Sequence, residues 1–179
     1  IFQSDINVLW DLAPHDISIL FYLYSEPPVS VNAIGISHMQ NKLENIAYLT
    51  INFNTNFIAH IHCSWTSPVK IRTMLIGGAK KMIVYNDIEP TEKVKIYDTG
   101  SRCFSDEERM KMLIEYRTSD IQAPRIYNCE ALSIMAQDFV NSIINNTTPI
   151  SSGNLGLRVV KLLTAAQKSL KHNGKKIKL

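Results

Sequence analysis

The chain has 179 residues, of which 45% are apolar and 20% charged, and 19 Lys and Arg residues against 16 Asp and Glu residues give a formal net charge of +3. A chain of this length buries roughly 70% of the surface that its unfolded form exposes, so folding requires neither disulfides nor a structural metal. The three cysteines, Cys63, Cys103 and Cys129, are widely spaced without a CxxC pair, which indicates reduced thiols in a cytoplasmic protein and excludes a disulfide framework.

Two classes of partner are also unexpected from the composition. The apolar runs are far shorter than the roughly 18 residues needed to span a bilayer, so we expect no membrane association. The net charge is small, and the lysines near the end of the chain have no interleaved aromatic residues that could stack on bases. We therefore expect no nucleic-acid partner.

The first predicted element is a short, largely buried helix over residues 14–24. Ile17, Leu20 and Phe21 recur at helical spacing. Pro14 suits the first turn of a helix, and a Pro-Pro pair soon after Tyr24 ends it.

After this helix the hydrophobic period changes from 3.6 to 2, which predicts a series of strands. The candidate strands cover residues 29–36, 45–54, 57–65, 71–77, 81–85 and 93–98. The links between them are short and rich in Asn and Gly, so consecutive strands must pair antiparallel.

The third predicted strand has two different faces. Its apolar, core-like face carries Phe57, Ala59, Ile61, Cys63 and Trp65. The opposite face is mixed and carries Ile58, His60, His62 and Ser64. A mixed face of this kind suits a subunit interface better than open water, so we expect a homodimer or homotetramer that assembles through the open face of the sheet.

The last third of the chain begins with a polar, weakly periodic segment and ends with two amphipathic helices. The segment covers residues 99–129 and includes a possible short helix over 106–114. The stripe of the first amphipathic helix is Leu132, Met135, Ala136, Phe139, Val140 and Ile143. The stripe of the second is Leu155, Val159, Leu162, Leu163, Ala166 and Leu170, and Asn173-Gly174 supplies a left-handed cap.

This order of elements predicts an α+β fold, with helices packed on one face of an open, mainly antiparallel sheet of about six strands. We expect residues 1–179 to form a single domain.

The strongest candidate for chemistry is the pair Asp11 and His15, in which a carboxylate precedes an imidazole by four residues. A neutral imidazole can accept a proton at neutral pH, and a nearby carboxylate stabilises the imidazolium that forms. A structural interpretation is equally simple: Asp11 caps the helix, and His15 is a first-turn residue satisfied by it.

Other motifs point away from metal or phosphate chemistry. His60 and His62 share one face of a strand, as metal ligands do in some β folds, but no third ligand follows at a fixed spacing. Residues 77–81, Gly-Gly-Ala-Lys-Lys, lack the strand, helix and Ser/Thr context of a phosphate loop and predict a hairpin turn. Neither GxGxxG nor GxSxG occurs, so we expect no metal site and no cofactor-binding residues in this chain.

Several segments in order resemble the glucose-fructose oxidoreductase, inositol dehydrogenase and MocA family. The similar segments are residues 11–16, 64–72, 116–121, the helix containing Phe139-Val140, and the closing helix over 156–170. The resemblance implies the second, C-terminal domain of a two-domain NAD(P)-dependent oxidoreductase. The glycine-rich dinucleotide domain that holds NAD or NADP would lie outside these residues, and the chain alone would then be inactive.

The same resemblance implies roles for individual residues. His15 would be the general base that takes the hydroxyl proton of the substrate, and Asp11 would orient His15 or that hydroxyl. Where some members carry a substrate-contacting tyrosine, this chain has Val69, which leaves Lys70 and Arg72 as weak substitutes. The expected substrate is a sugar or nucleotide sugar. The alternative is a non-catalytic oligomerisation or ligand-binding module of the same fold.

Overall fold

The computed structural model describes residues 5–38, 42–98, 120–126 and 129–179. The chain divides into two compact units, the first comprising Ile1–Pro68 with Ala131–Leu179 and the second Val69–Glu130. In the described ranges there are three α-helices, α1 (Val8–Leu23), α2 (Ala131–Asn145) and α3 (Gly153–Lys171). None of these helices is long and apolar enough to cross a membrane.

Eight strands occur in the same ranges, and all six predicted strands are confirmed with small changes at their ends. They are β1 (Pro28–Ile36), β2 (Ile46–Phe53), β3 (Ile58–Ser64), β4 (Thr73–Gly77), β5 (Met82–Asn86), β6 (Val94–Tyr97), β7 (Ile121–Gln122) and β8 (Ile177–Lys178). The two-residue strands β7 and β8 were not predicted, because two residues carry no measurable period.

Helix α1 begins earlier than its apolar spacing predicts. Asn7 is the N-cap, and its side chain accepts a hydrogen bond from the backbone N–H of Trp10 at 3.3 Å. Pro14 therefore lies inside the helix, and Asp11 lies in its first turn. The predicted start at Pro14 and the alternative of Asp11 as the cap are both wrong, because Asn7 caps the helix by accepting the N–H of Trp10, so that Asp11 and Pro14 both lie inside it.

The first unit contains a four-stranded antiparallel sheet in the order β3-β2-β1-β8. One face of this sheet is buried under α1 and α3. The fully or nearly buried side chains of that face are Val31, Ala33, Ala47, Leu49, Ile51, Phe53, Ile61 and Cys63. The predicted core face of the third strand is thus confirmed.

Helix α3 completes the core of the first unit as its spacing predicts. Ser152 caps it by accepting a hydrogen bond from the backbone N–H of Leu155 at 3.3 Å. Its buried residues are Val159, Leu162, Leu163, Ala166 and Ser169.

The chain leaves α3 through the predicted left-handed cap. Asn173 has φ of 53° and Gly174 has φ of 81°. A Cβ atom on Gly174 would lie 2.5 Å from Cγ2 of Ile34, so glycine is required there by both its backbone and its close packing. The turn returns the chain to β1, where Ile177 pairs with Val31 as part of β8.

Helix α2 forms where predicted, but its apolar stripe is not buried. Ser142 is its buried residue. The stripe residues Leu132, Met135, Phe139, Val140 and Ile143 are each at least 50% exposed.

The second unit contains a separate antiparallel sheet in the order β4-β5-β6-β7. Gly78 N–H donates to the carbonyl of Lys81 at 2.9 Å, which confirms the hairpin predicted at residues 77–81. None of the second-unit residues that the structure describes is buried.

The α+β class, with antiparallel strands and helices on one sheet face, is confirmed, but the strands form two four-stranded sheets rather than one of about six. The segment between β3 and β4 contains no strand and includes Pro68, which has no amide hydrogen to donate to a ladder. The possible helix over 106–114 and most of the polar segment 99–129 lie outside the described residues.

Candidate functional site

The predicted pair Asp11 and His15 lies on one face of α1, one helical turn apart. His15 is exposed, and the described ranges contain no hydrogen-bond partner for its ring. An exposed, unengaged imidazole can receive a proton from a group that approaches from solvent.

Asp11 is held by a tryptophan rather than by His15. Its Oδ2 accepts a hydrogen bond from the indole Nε1–H of Trp65 at 2.8 Å. Trp65 directly follows β3, and its backbone N–H donates to the carbonyl of Asn45 at 3.0 Å. Sequence reasoning placed Trp65 in the core face and missed this bond, although a half-buried indole usually presents its polar edge to a partner.

Below this part of α1 lies a buried thiol. Cys63 is 2% exposed. Burial, followed by the nearby carboxylates of Asp16 and Asp11, raises the pKa of this thiol to about 12. Cys63 is therefore a protonated core residue at neutral pH and not a nucleophile.

A polar cluster attaches the start of α1 to its neighbours. The amide of Asn7 donates to Glu44 Oε2 at 2.8 Å and to Gln167 Oε1 at 2.9 Å. Trp10 Nε1–H donates to the same Gln167 oxygen at 3.1 Å. Because Gln167 lies on α3, these bonds connect the two helices that cover the first sheet.

A cleft of about 390 Å³ lies between α1 and α3. It is lined by Trp10, Pro14, Ser18, Ser151, Ser152, Leu155, Gly156, Val159, Val160 and Leu163. Two of its hydroxyls are already engaged, since Ser18 Oγ donates to the carbonyl of His15 at 2.7 Å and Ser152 caps α3. The cleft is therefore mainly apolar and offers few groups for hydrogen bonding a sugar.

The predicted substrate contacts Lys70 and Arg72 both belong to the second unit. Lys70 is exposed. Arg72 is also exposed, but its Nη1 lies 3.4 Å from Asp87 Oδ2 in an ion pair.

Asp87 organises a polar cluster on the second sheet. It accepts a hydrogen bond from the Tyr85 hydroxyl at 2.9 Å and lies 3.7 Å from Lys93 Nζ. The hydrogen bond from Tyr85, followed by Arg72 and Lys93, lowers the pKa of Asp87, and these effects together exceed the opposing effect of burial. Burial and the neighbouring Asp87 raise the pKa of Tyr85. Arg72 directly precedes β4, Asp87 directly follows β5, and Lys93 directly precedes β6, so these contacts connect the ends of three neighbouring strands.

The outer face of the first sheet carries the two histidines that could have suggested a metal. The ring of His62 stacks on Tyr48 with centroids 4.5 Å apart, and Thr50 Oγ1 lies 3.1 Å from His60 Nδ1. The described part of the chain contains no group of three or more His, Cys, Asp or Glu side chains that could hold a metal ion. Large apolar side chains share this exposed face, namely Ile34, Ile36, Tyr48 and Ile58.

A nicotinamide dinucleotide binds at the crossover of parallel βαβ units. Every strand pair in the described ranges is antiparallel. The described residues therefore do not fit the dinucleotide.

Comparison with known proteins agrees with this architecture. Residues 4–84 match the model of the GFO/IDH/MocA C-terminal domain. No curated protein matches the chain in sequence. Among solved structures, UDP-N-acetylglucosamine 3-dehydrogenase GnnA from Acidithiobacillus ferrooxidans is similar with a TM-score of 0.77 and 21% identity, covering 94% of this chain and 48% of that one.

Two further structures share the fold. Levoglucosan dehydrogenase in complex with NADH has a TM-score of 0.75 and 15% identity. The alignment covers 97% of this chain and 50% of that one. The aldose-aldose oxidoreductase from Caulobacter crescentus complexed with glycerol has a TM-score of 0.74 and 15% identity, with coverage of 100% and 52%. The chain thus spans about half the length of these structures and shares their fold, and its residues 4–84 are similar to the C-terminal domain of the GFO/IDH/MocA family.

Proposed function

We propose that this chain is the substrate-binding and oligomerisation domain of an NAD(P)-dependent dehydrogenase acting on a hydroxyl of a sugar or nucleotide sugar. The observation that carries the proposal is His15, which is exposed on α1 one turn after a carboxylate and has no ring hydrogen-bond partner in the described ranges. The surrounding residues 4–84 match a domain model of an oxidoreductase family. A dehydrogenase of a nucleotide sugar and an oxidoreductase of aldoses among the similar structures support the substrate class.

Alcohol oxidation removes two groups from the substrate. The hydrogen of the C–H bond leaves as hydride with both bonding electrons, and the O–H proton leaves separately as the C=O bond forms. A bound nicotinamide supplies the acceptor for the hydride only. His15 takes the proton, and Asp11 lies one turn away on the same face of α1.

The dinucleotide would be held by an N-terminal domain outside these 179 residues. Support comes from the antiparallel strands of this chain, which do not fit the dinucleotide, and from its coverage of about half of the similar structures. The isolated chain is accordingly proposed to be inactive.

Substrate recognition in this proposal involves Lys70 and Arg72, both exposed cations of the second unit. Arg72 is already paired with Asp87, whereas the Lys70 ammonium has no ion pair in the described ranges. Lys70 is thus the better placed of the two to meet a polar or phosphorylated substrate.

The proposed partner is a second copy of the chain, bound through the outer face of the first sheet. Ile34 and Ile58 are 57% and 62% exposed on that face, beside the stacked rings of Tyr48 and His62. Aromatic and apolar side chains of this kind are enriched at interface cores. The same observation favours the second candidate, a non-catalytic assembly module. Cys63 and Cys129 are free thiols in the described ranges, and this supports a cytoplasmic location.

The test uses the intact polypeptide that contains this chain, assayed by NAD(P)H formation with a panel of sugars and UDP-sugars. We expect turnover with at least one of them, and His15→Ala should lower kcat by roughly 10² to 10⁴ with little change in NAD(P)H affinity. His172→Ala is the matched control, because His172 is another exposed histidine and its ring lies 2.7 Å from the carbonyl of Lys168.

A loss of less than threefold in His15→Ala would show that the proton goes elsewhere. Absence of NAD(P)H binding by the intact polypeptide would overturn the dehydrogenase proposal in favour of the assembly module.

A further inference from the structure

The chain has two tryptophans, and the structure gives their indole N–H groups different partners. Trp10 donates to the neutral amide oxygen of Gln167 at 3.1 Å. Trp65 donates to the carboxylate of Asp11 at 2.8 Å. A hydrogen bond to an ionised acceptor is shorter and about twice as strong as a neutral one, so the bond from Trp65 constrains Asp11 strongly.

The backbone beside Trp65 is itself well fixed. Its N–H donates to the carbonyl of Asn45, which is completely buried. The Asn45 side-chain oxygen accepts a hydrogen bond from the backbone N–H of His38 at 2.9 Å, and the Asn45 N–H donates to the carbonyl of Ile36 at 3.1 Å. A continuous series of hydrogen bonds therefore runs from the ends of β1 and β3 to the first turn of α1.

We propose that Trp65 is a positioning residue for the site on α1 and acts through Asp11. This inference rests on the proposed function, because it assigns His15 as the proton acceptor. The indole directs one oxygen of Asp11 toward β3. The carboxylate is thereby kept one turn from His15 as a fixed negative charge, and the imidazole stays available to the substrate.

The indole N–H of Trp65 fixes the side-chain rotamer of Asp11. Without the indole donor, the half-buried carboxylate loses its one side-chain partner in the described ranges and seeks another. His15 lies at i+4 on the same face, within reach of such a side chain. A direct bond between Asp11 and an imidazole N–H would hold the ring against the helix, so that the other, proton-accepting nitrogen would no longer be free to turn toward a substrate that approaches from solvent.

The test compares Trp65→Phe with Trp10→Phe in the intact polypeptide. Each variant removes one indole N–H and keeps an aromatic ring. We expect Trp65→Phe to lower kcat about tenfold with KM for the sugar changed less than twofold, because Asp11 affects the proton transfer and not binding. Trp10→Phe should leave kcat and KM within about twofold of the values for the unsubstituted protein.

A double-mutant cycle identifies the route of the effect. In an Asp11→Ala background, Trp65→Phe should produce no further loss of kcat, because its partner is already absent. Equal and additive losses would show that Trp65 acts independently of Asp11 and would overturn the proposal.

A spectroscopic measurement separates this inference from the proposed function. In ¹H–¹⁵N spectra of the protein, Asp11→Asn should shift the indole signal of Trp65 and leave that of Trp10 in place. In ¹H–¹³C spectra, Trp65→Phe should shift the ring signals of His15, whereas Trp10→Phe should not. These readouts need no activity and no cofactor, and Asp11→Asn provides the answer even if Trp65→Phe does not fold.

The outcomes are distinct. If the spectra change as expected but no sugar is oxidised, the coupling of Trp65, Asp11 and His15 stands and the dehydrogenase proposal fails. If sugar is oxidised but Trp65→Phe keeps its kcat and leaves the His15 signals unmoved, the dehydrogenase proposal stands and Trp65 is not a positioning residue.

Discussion

The two sheets of this chain have the same strand number and the same antiparallel pairing, yet they are stabilised by different interactions. The first sheet buries a full face, and Leu49 and Ile51 are 0% exposed. The second sheet has no buried residue in its described part, and Leu75 is 67% exposed. Its side chains instead form the ionic cluster around Asp87. Pairing of strands alone therefore does not indicate what stabilises a sheet.

The difference has a direct physical basis. Apolar burial contributes roughly 25 cal/mol per Å² and does not depend on pH. Exposed ion pairs contribute about 0 to 1 kcal/mol each and depend on both pH and salt. We expect the first unit to respond mainly to lost apolar volume and the second to acid.

The largest stability effect should come from the core of the first sheet. Leu49→Ala removes a fully buried side chain and leaves a cavity, so the free energy of unfolding should fall by about 3 kcal/mol. Leu75→Ala, on the second sheet, should change it by less than about 0.5 kcal/mol. Urea titration followed by circular dichroism measures both, and similar losses for the two variants would contradict the contrast.

A smaller effect is expected at the start of α1. Asn7→Ala removes a helix cap and two side-chain hydrogen bonds, to Glu44 and Gln167, and should cost about 2 kcal/mol. Ser152→Ala removes the N-cap hydrogen bond of α3 and should cost about 1 kcal/mol. Thermal unfolding of both variants shows which loses more stability. A larger loss of stability for Ser152→Ala would show that the bonds from Asn7 to Glu44 and Gln167 contribute nothing.

The smallest effect should be the acid response of the second sheet. The pKa of Asp87 is lowered in the folded chain, so its ionised form stabilises the fold above the unfolded value near 3.8. That contribution is lost as the pH falls through the lowered pKa, and it is less than about 1 kcal/mol because the carboxyl is partly exposed.

Amide hydrogen exchange at pH 6 and pH 3 measures this acid response strand by strand. From pH 6 to pH 3, the protection of backbone amides against exchange should fall more in β5 and β6 than in β1 and β2, after correction for the intrinsic exchange rate. Asp87→Asn should abolish the difference, and equal loss in both sheets would disprove the assignment.

Much of the local structure was predictable from the sequence because it depends on near neighbours. Alternation in β3 separated the buried Ile61 and Cys63 from the exposed His60 and His62, as the structure confirms. The glycine pair at residues 77–78 predicted a hairpin, and the apolar stripe of α3 predicted its buried face.

The candidate site was predictable only in part. The spacing of Asp11 and His15 placed both side chains on one helical face, which depends on local geometry alone. The partner of Asp11 is Trp65, 54 positions along the chain. Nothing near Asp11 in sequence signals that bond, and the same is true of the contact between Asn7 and Gln167.

The sequence by itself determined where strands and helices form and which of their faces are apolar, because these properties follow from hydrophobic period and turn chemistry. Only the tertiary structure decided that α1 begins at Val8 with Asn7 as its cap, that Asp11 binds an indole, that the strands divide into two sheets, and that the apolar stripe of α2 remains exposed while that of α3 is buried. Each of these outcomes depends on which distant residues meet, and a short window of sequence does not contain that information.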